Sequence, residues 1–335
     1  LIAEAEQDLR VLRLRLHELD VLLAALGREL GHGDAHEVAA QGHEEAVVDD
    51  EVILVKGDLG DEPLLNELFK THQFEAVLHF AAYAYVGESV SHPHKYYVNN
   101  VAKPLTLLKT MVDHGCLKFI FSSTCATYGN PEYMPLDEKH PQNPVSPYGK
   151  SKFLLEQIIK DYETAYGLRY VFLRYFNASG ASEDGKIGED HDPETHLIPL
   201  ILDAINGDRP AIKVFGTDYD TPDGTAIRDY IHVNDLGDAH IKALEYLDKG
   251  NESIACNLGT GVGYSVKEVI DAASEVTGKE VPTAYEGRRA GDATKLIADA
   301  SLALDQLGWD PKYKDVKSII ETAWAWKSGD RKGKY

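Results

Sequence analysis

Hydrophobic positions change their spacing once along this chain, near residue 50. Before that point Leu9, Leu12, Leu16, Leu19, Leu23, Leu26 and Leu30 alternate steps of three and four. This is a heptad seam, and it predicts a helix or coiled coil rather than a strand. Beyond it, apolar residues come in short continuous runs separated by polar turns. Runs at 52–55, 76–80, 118–122 and 170–175 predict buried strands. Amphipathic stretches at 62–71, 93–114 and 152–166 predict helices, with Pro93 and Pro147 suited to a first turn. Strands alternating with helices, in near-continuous apolar runs, predict an α/β fold, a Rossmann-like doubly wound parallel sheet covered on both faces. Ligands of such sheets sit beyond the carboxyl ends of the strands. Asp58, Thr124 and Asn177 all fall at predicted strand ends.

After Asn177 the rhythm loosens. Residues 180–194 read as a Gly- and Asp-rich loop, 196–206 as a helix, 212–215 as a strand and 216–228 as a second polar loop. A short strand at 229–233, a helix at 236–247, a glycine loop at 257–263 and a helix at 266–277 follow. Arg288-Arg-Ala-Gly-Asp292 leads into a predicted pair of helices ending near Trp326.

Composition narrows the function. The chain has 335 residues, 43% of them hydrophobic, enough for a sizeable core. Its formal charge of −21 argues against nucleic acid or an anionic membrane surface as partner. An anionic substrate therefore needs local Arg to offset that field. Cys116, Cys125 and Cys256 are widely spaced and form neither a disulfide framework nor a metal motif, which fits a reducing cytoplasm. No metal site is expected. No apolar run reaches 18 residues, so no membrane span is predicted, and no secretory pattern is present. The chain does not begin with Met, so its first residue is not expected to be the native start.

The strongest chemical signal is Tyr148-Gly-Lys-Ser-Lys152, at the start of a predicted helix, with the hydroxyl-rich Phe121-Ser-Ser-Thr-Cys-Ala-Thr-Tyr-Gly129 upstream. Tyr and Lys four apart share one helix face. There the ammonium favours phenolate, and a phenolate near neutral pH is a general base for a sugar hydroxyl. Thr124 can hydrogen-bond the same hydroxyl.

With these stand His79-Phe-Ala-Ala82, Gly87-Glu-Ser89, Asn99-Asn-Val101, Arg174-Tyr-Phe-Asn177, Arg228-Asp-Tyr-Ile-His-Val233 and Arg288-Arg-Ala-Gly-Asp292. In this order the set resembles the extended short-chain dehydrogenases, and within them the UDP-glucose 4-epimerase family, over about residues 51–335. The resemblance implies bound NAD, a UDP-sugar substrate, interconversion of UDP-galactose and UDP-glucose through a 4-keto intermediate, and a homodimer. It implies an NAD-binding domain at 51–177 with about 229–263, and a smaller C-terminal substrate domain at 178–228 with 264–335. Tyr148 is then the base, Lys152 its partner and a ribose ligand, and Thr124 the aligning hydroxyl. Cofactor contacts are Asp58, Leu59, Phe80, Ala81, Ala82, Tyr83, Ala84, Asn99, Tyr148, Lys152 and Phe176. Substrate contacts are Thr124, Asn177, Leu197, Ile198, Lys213, Val214, Phe215, Arg228, Arg289 and Asp292. The family often carries a second hydroxyl two residues after the first, and here Ala126 stands there. Thr127 is expected to point the other way along the strand.

Residues 1–50 depart from this pattern. They use only ten residue types, with no Ser, Thr, Pro, Asn, Lys or aromatic residue. The family opens with a strand, Gly-x-x-Gly-x-x-Gly and a helix, whose glycines let the backbone approach a pyrophosphate. No such run is present. Gly27, Gly31 and Gly33 have the spacing of the classical relatives, and Val47-Val-Asp-Asp50 echoes the family's second strand. The segment has the length of the strand–helix–strand unit with different content. One reading is a wrong-frame translation of the N-terminus. The other is a real segment that leaves two central strands and the phosphate cradle absent, in an epimerase-like protein without activity. Other open alternatives are a UDP-xylose/arabinose or UDP-N-acetylhexosamine 4-epimerase, Leu296 leaving room for an N-acetyl group. A UDP-sugar dehydratase or decarboxylase is a further reading, and Cys125-Ala126 after Thr124 argues against the dehydratase.

Overall fold

A computed structural model describes residues 8–16, 19–27, 53–185, 187–191, 193–289 and 292–329. The main sheet has seven strands: β1 (Asp8–Leu16), β2 (Leu19–Gly27), β3 (Ile53–Gly57), β4 (Ala76–His79), β5 (Lys118–Thr124), β6 (Arg169–Tyr175) and β10 (Ile254–Leu258). Their order is β10-β6-β5-β4-β2-β1-β3. The five from β10 to β2 are mutually parallel. β1 lies between β2 and β3 and is antiparallel to both, so β3 runs with the main set.

This corrects the heptad expectation for residues 9–30. Asp8–Leu16 and Leu19–Gly27 are two antiparallel strands, with Leu30 outside the described residues. The leucine count ignored the apolar residues between the seam positions. Leu12-Arg-Leu-Arg-Leu16 alternates with period two, and Val21-Leu-Leu-Ala-Ala-Leu26 is a continuous run of the kind found in a central strand. The backbone of β2 pairs along the edge of β4, whose amides and carbonyls need partners. The two strands expected to be missing are thus filled by β2 and β1, the latter with reversed direction. The glycines after Gly27, and Val47 to Asp50, lie outside the described residues.

Strand side chains alternate into two cores. On one face Val77, Phe119, Phe121 and Phe172 meet Leu65 and Phe69 of α1 (Glu62–His72), Leu107 and Met111 of α4 (Lys103–Asp113), and Leu155 and Ile159 of α5 (Pro147–Tyr166). On the other, Leu78, Ile120, Val171, Leu173 and Cys256 meet Leu236, Ala239 and Leu244 of α7 (Val233–Asp248) and Trp309. This is the doubly covered sheet the apolar runs predicted.

The helix expected at 93–114 is one helical run in three pieces. After the short α2 (Val86–Ser91) come α3 (Pro93–Tyr97), a π-turn at Val98–Ala102 and then α4. β7 (Asn177–Ser179) leaves the main sheet and pairs with β9 (Ile227–His232). β9 also carries β11 (Gly263–Ser265) and β13 (Lys295–Leu296), and β8 (Ile212–Phe215) pairs with β12 (Thr283–Glu286). A third core joins α6 (Leu197–Asn206), α8 (Val266–Thr277) and α9 (Val316–Ser328). α8 starts on a capping box, Ser265 with Glu268. The expected final pair of helices is a short helical run at 301–307, ending in a π-turn at Ala303–Leu307, and α9, with β13 before them.

Candidate active site

The site is built where β5 ends and α5 begins. Ser146 caps α5 by accepting from Gly149 N at 3.1 Å, and Pro147 sets the first turn. A Cβ on Gly149 would lie 2.5 Å from the Ala126 carbonyl oxygen. Only glycine lets this turn lie against the backbone leaving β5. Tyr148, at 9% exposure, and Lys152, at 3%, follow one turn apart. Lys152 Nζ donates to the Ser122 carbonyl at 2.8 Å and lies 4.9 Å from the centre of the Phe121 ring.

Thr124 is the last residue of β5, and its Oγ1 accepts from Ala126 N at 3.2 Å. The chain then turns into a 3₁₀ segment, Cys125–Thr127. This corrects the reading of Thr127 as a strand residue pointing away. Thr127 has left the strand, is fully buried, and donates from Oγ1 to the Thr124 carbonyl at 3.0 Å. Its hydroxyl holds the turn that presents Thr124.

The 80–84 segment packs on the same spot. Tyr83 N donates to Asn100 Oδ1 and Asn100 Nδ2 to the Tyr83 carbonyl, both at 2.9 Å. Asn100 Nδ2 also reaches Ser151 Oγ on α5 at 3.1 Å. The π-turn buries Asn99 and Asn100 together, and Asn99 Nδ2 donates to Asn100 Oδ1 at 3.1 Å. The sequence reading named Asn99 and passed over Asn100, although the doublet was visible. Phe80 lies 4.4 Å from His240 between ring centres. His240 Nδ1 faces the Leu236 carbonyl at 2.8 Å and must donate to it, so Nε2 accepts from Ser122 Oγ at 2.8 Å. Burial holds His240 down to about 4, so the ring is neutral at pH 7. Burial, and then the Lys152 charge, hold His79 down to about 3.

Beneath the site runs a buried polar network that the sequence reading did not find. Arg174 forks onto Glu156, Nε to Oε1 at 2.9 Å and Nη2 to Oε2 at 2.7 Å. Ser123 Oγ donates to Glu156 Oε1 at 2.6 Å, and Arg174 Nη1 to the Tyr128 hydroxyl at 3.1 Å. Tyr128 in turn donates to Asn257 Oδ1 at 2.6 Å. Arg174 was visible only as part of a motif. Glu156, three turns into an amphipathic helix, carried no sequence signal.

The residues expected around substrate form a second group. Phe176 packs with Cys125, Leu296 and Ala298, and so borders the end of β5. Asn177 Nδ2 donates to the Asp229 carbonyl at 2.8 Å. Arg228 donates to the Ile227 carbonyl at 2.8 Å and has no carboxylate partner among the described residues. Asp229 is turned away, accepting from Thr260, Gly261 and Ala298. Asp223 is engaged by Thr225 and Ser265. Arg289 bonds Asp292 through Nε and Nη2, at 3.1 and 3.2 Å, and lies over Phe215 at 5.3 Å. Strand alternation divides the 213–215 set: Val214 enters the core, whereas Lys213 and Phe215 share the exposed face. Ile198 is likewise a core residue, with Leu197 half-buried beside it. Leu59 packs against the main core, and Asp58 is ion-paired with Lys103. A cavity of about 570 Å³ between Phe69, Phe74, His114 and Lys118 opens at the opposite ends of β4 and β5 and belongs to none of this.

The family model "NAD dependent epimerase/dehydratase family" matches residues 23–259. The chain belongs to this family. It is 52% identical to UDP-glucose 4-epimerase of Rhizobium meliloti (strain 1021) over 88% of this chain and 89% of that protein. UDP-glucose 4-epimerase from Brucella ovis in complex with NAD is 50% identical, with a TM-score of 0.79 over 81% of this chain and 83% of that one. The enzyme from Bifidobacterium longum in complex with NAD+ and UDP is 40% identical, with a TM-score of 0.78 over 83% of each chain.

NAD, the family's cofactor, fits the residues on this side of the sheet. His79 Nδ1 is buried without a hydrogen-bond partner among the described residues, at the head of a turn with the small Ala81, Ala82 and Ala84. Small side chains allow close approach of a ligand to that backbone. Lys152, Tyr148, Asn99 and Tyr83 would hold the nicotinamide and its ribose. β2 pairs with β4 beside this turn, and the residues after Gly27 lie outside the described residues.

Proposed function

We propose that this protein is a UDP-sugar 4-epimerase that interconverts UDP-galactose and UDP-glucose. The observation that carries this is the joining of Tyr148, Lys152 and Thr124 at one strand end, on a scaffold shared with curated epimerases. When bound, NAD would supply a hydride acceptor and donor for the sugar C4. Tyr148 takes the proton of the 4-hydroxyl and later returns it. Lys152, anchored on the Ser122 carbonyl, places a positive charge one turn away that favours the phenolate. Thr124, held by Ala126 N and Thr127, aligns the hydroxyl. Ala126 supplies no second hydroxyl, so Thr124 carries that role alone.

Asn177 and Arg228 meet the diphosphate. Arg228 offers a guanidinium fork without a competing carboxylate. Phe215, Arg289 and Asp292 border the uridine, Lys213 sharing their face. Arg289 exchanges its Asp292 partner for phosphate oxygen when substrate binds. The cofactor domain comprises 51–177 with about 229–263, and the substrate domain 178–228 with 264–335. Exposed Val98, Leu105 and Leu154, on the 93–113 helical run and on α5, support a homodimer paired through those helices. The protein works in the cytoplasm, in galactose metabolism. Conversion of UDP-galactose by purified wild type, with loss in a folded Tyr148→Phe variant, is the expected result. Full turnover by that variant would remove the assignment. Parallel assays with UDP-N-acetylgalactosamine test whether Leu296 admits an N-acetyl group.

A further inference from the structure

The loop expected to be only Gly- and Asp-rich gathers four metal-ligating side chains. Glu189, His191, Glu194 and His196 follow the pattern Glu-x-His-x-x-Glu-x-His. One donor atom of each lies within 4.8 Å of the other three. Glu189 Oε1 is 3.0 Å from His191 Nδ1 and 2.6 Å from His196 Nδ1. Glu194 lies 3.5 Å from His191 Nδ1 through Oε2 and 3.3 Å from His196 Nδ1 through Oε1.

Three features make this a built pocket. The side chains of His191, Glu194 and Glu189 are 3%, 13% and 15% exposed, so two carboxylates are largely out of water. Glu194 is fixed in place, its Oε1 accepting from Thr195 N at 2.6 Å and His196 N at 2.7 Å. The loop is also clamped from outside. Trp326 Nε1 donates to the Glu189 carbonyl at 3.2 Å, Tyr85 donates to the Pro193 carbonyl, and Gly188 lies where any Cβ would strike the Trp326 ring.

The contact geometry points to a shared cation. His196 Nδ1 is buried and makes no hydrogen bond among the described residues, despite Glu189 Oε1 at 2.6 Å. The pair is close but off the line of an N–H···O bond. Ligands on a tetrahedral ion with bonds of about 2.0–2.1 Å stand roughly 3.4 Å apart. The His–Glu contacts run from 2.6 to 3.5 Å, and one donor atom of each residue lies within 4.8 Å of the others, so side-chain shifts of about 1 Å would bring all four onto one ion. Two imidazoles and two carboxylates are a donor set suited to zinc or a similar divalent transition metal. With neutral imidazoles the two carboxylates match its charge.

We propose that Glu189, His191, Glu194 and His196 bind one divalent transition-metal ion, zinc by preference, in a closed structural site. The ion ties the 187–196 loop into a fixed form just before α6, whose first residues Leu197 and Ile198 begin the helical core. The site shares no residue with Tyr148, Lys152 and Thr124.

The test uses tag-free full-length protein, stripped with a chelator and titrated with zinc chloride against a chromophoric chelator. About one zinc per chain is expected, with an X-ray absorption edge showing nitrogen and oxygen ligands and no sulfur. His196→Ala, at the most exposed ligand, and Glu194→Gln should each lower affinity on the order of 100-fold with unchanged far-UV circular dichroism. Substoichiometric zinc in the wild type overturns the proposal and leaves a cluster of ion pairs. Equal affinity in wild type and both variants overturns it as well. Because the readout is metal content, it holds whether or not the chain turns over a UDP-sugar.

Discussion

In the proposed mechanism Tyr148 and Lys152 divide the work of one proton transfer, and their losses should differ. Tyr148→Phe keeps the ring and removes the base, so kcat should fall about 10²–10⁴-fold with KM little changed in a coupled UDP-glucose assay. Lys152→Met removes a charge that touches both the Ser122 carbonyl and the proposed cofactor, so it should also lower retained NAD per chain. His79 gives a pH signature of its own. Its folded-state value is held near 3, by burial and then by the Lys152 charge, against an ordinary 6.5. Between those values the unfolded chain takes a proton that the folded chain refuses. Its stabilising effect is complete above pH 6.5 and is lost as pH falls through that window. In urea titrations from pH 7 to 4, wild type should lose stability faster than His79→Phe; parallel slopes would show that His79 is not the source. The placement of Tyr148 and Lys152 one turn apart was legible because their spacing is local, four residues on one helix. Asn100 and Glu156 were not, because their partners Tyr83 and Arg174 lie 17 and 18 residues away and meet them only in the fold.

At the scale of elements, the site depends on how closely α5 approaches the end of β5. Gly149→Ala places a methyl on the Ala126 carbonyl oxygen, and should cost about 1–3 kcal/mol and lower kcat by displacing Tyr148. Equal activity with unchanged melting would mean the approach is not needed. Glu156→Gln leaves Arg174 buried at 3% exposure without its carboxylate, and should destabilise by about 3–5 kcal/mol in chemical denaturation. A loss below 1 kcal/mol would show that Ser123 and Tyr128 hold the network without that charge. Most elements from residue 53 to 277 were legible, since buried parallel strands and amphipathic helices each leave their own period. The N-terminal strand pair was misread because leucines in steps of three and four mimic a helix seam when the apolar residues between them are ignored. β10 was missed because Ile254-Ala-Cys-Asn-Leu258 is short and runs into a glycine loop. The metal-ligating loop was missed because its four donors lack cysteine and sit among ordinary acidic loop residues.

At the scale of the whole molecule, Tyr148, Lys152 and Thr124 meet where β5 ends and α5 begins, and the proposed nucleotide site adds Arg228 and Arg289 to a chain of charge −21. The proposed pairing of two copies through the 93–113 run and α5 predicts a dimer by light scattering, converted to monomer by Leu105→Glu with Leu154→Glu. The central claim is that the C4 hydrogen leaves and returns within one closed site while Tyr148 moves the hydroxyl proton. The direct measurement is turnover of UDP-galactose carrying deuterium at C4, in ordinary water and without added reductant. The account predicts UDP-glucose that keeps the deuterium at C4, formed by the wild type and abolished in Tyr148→Phe. Loss of the label to water, or no conversion by a folded chain that retains NAD, would contradict it.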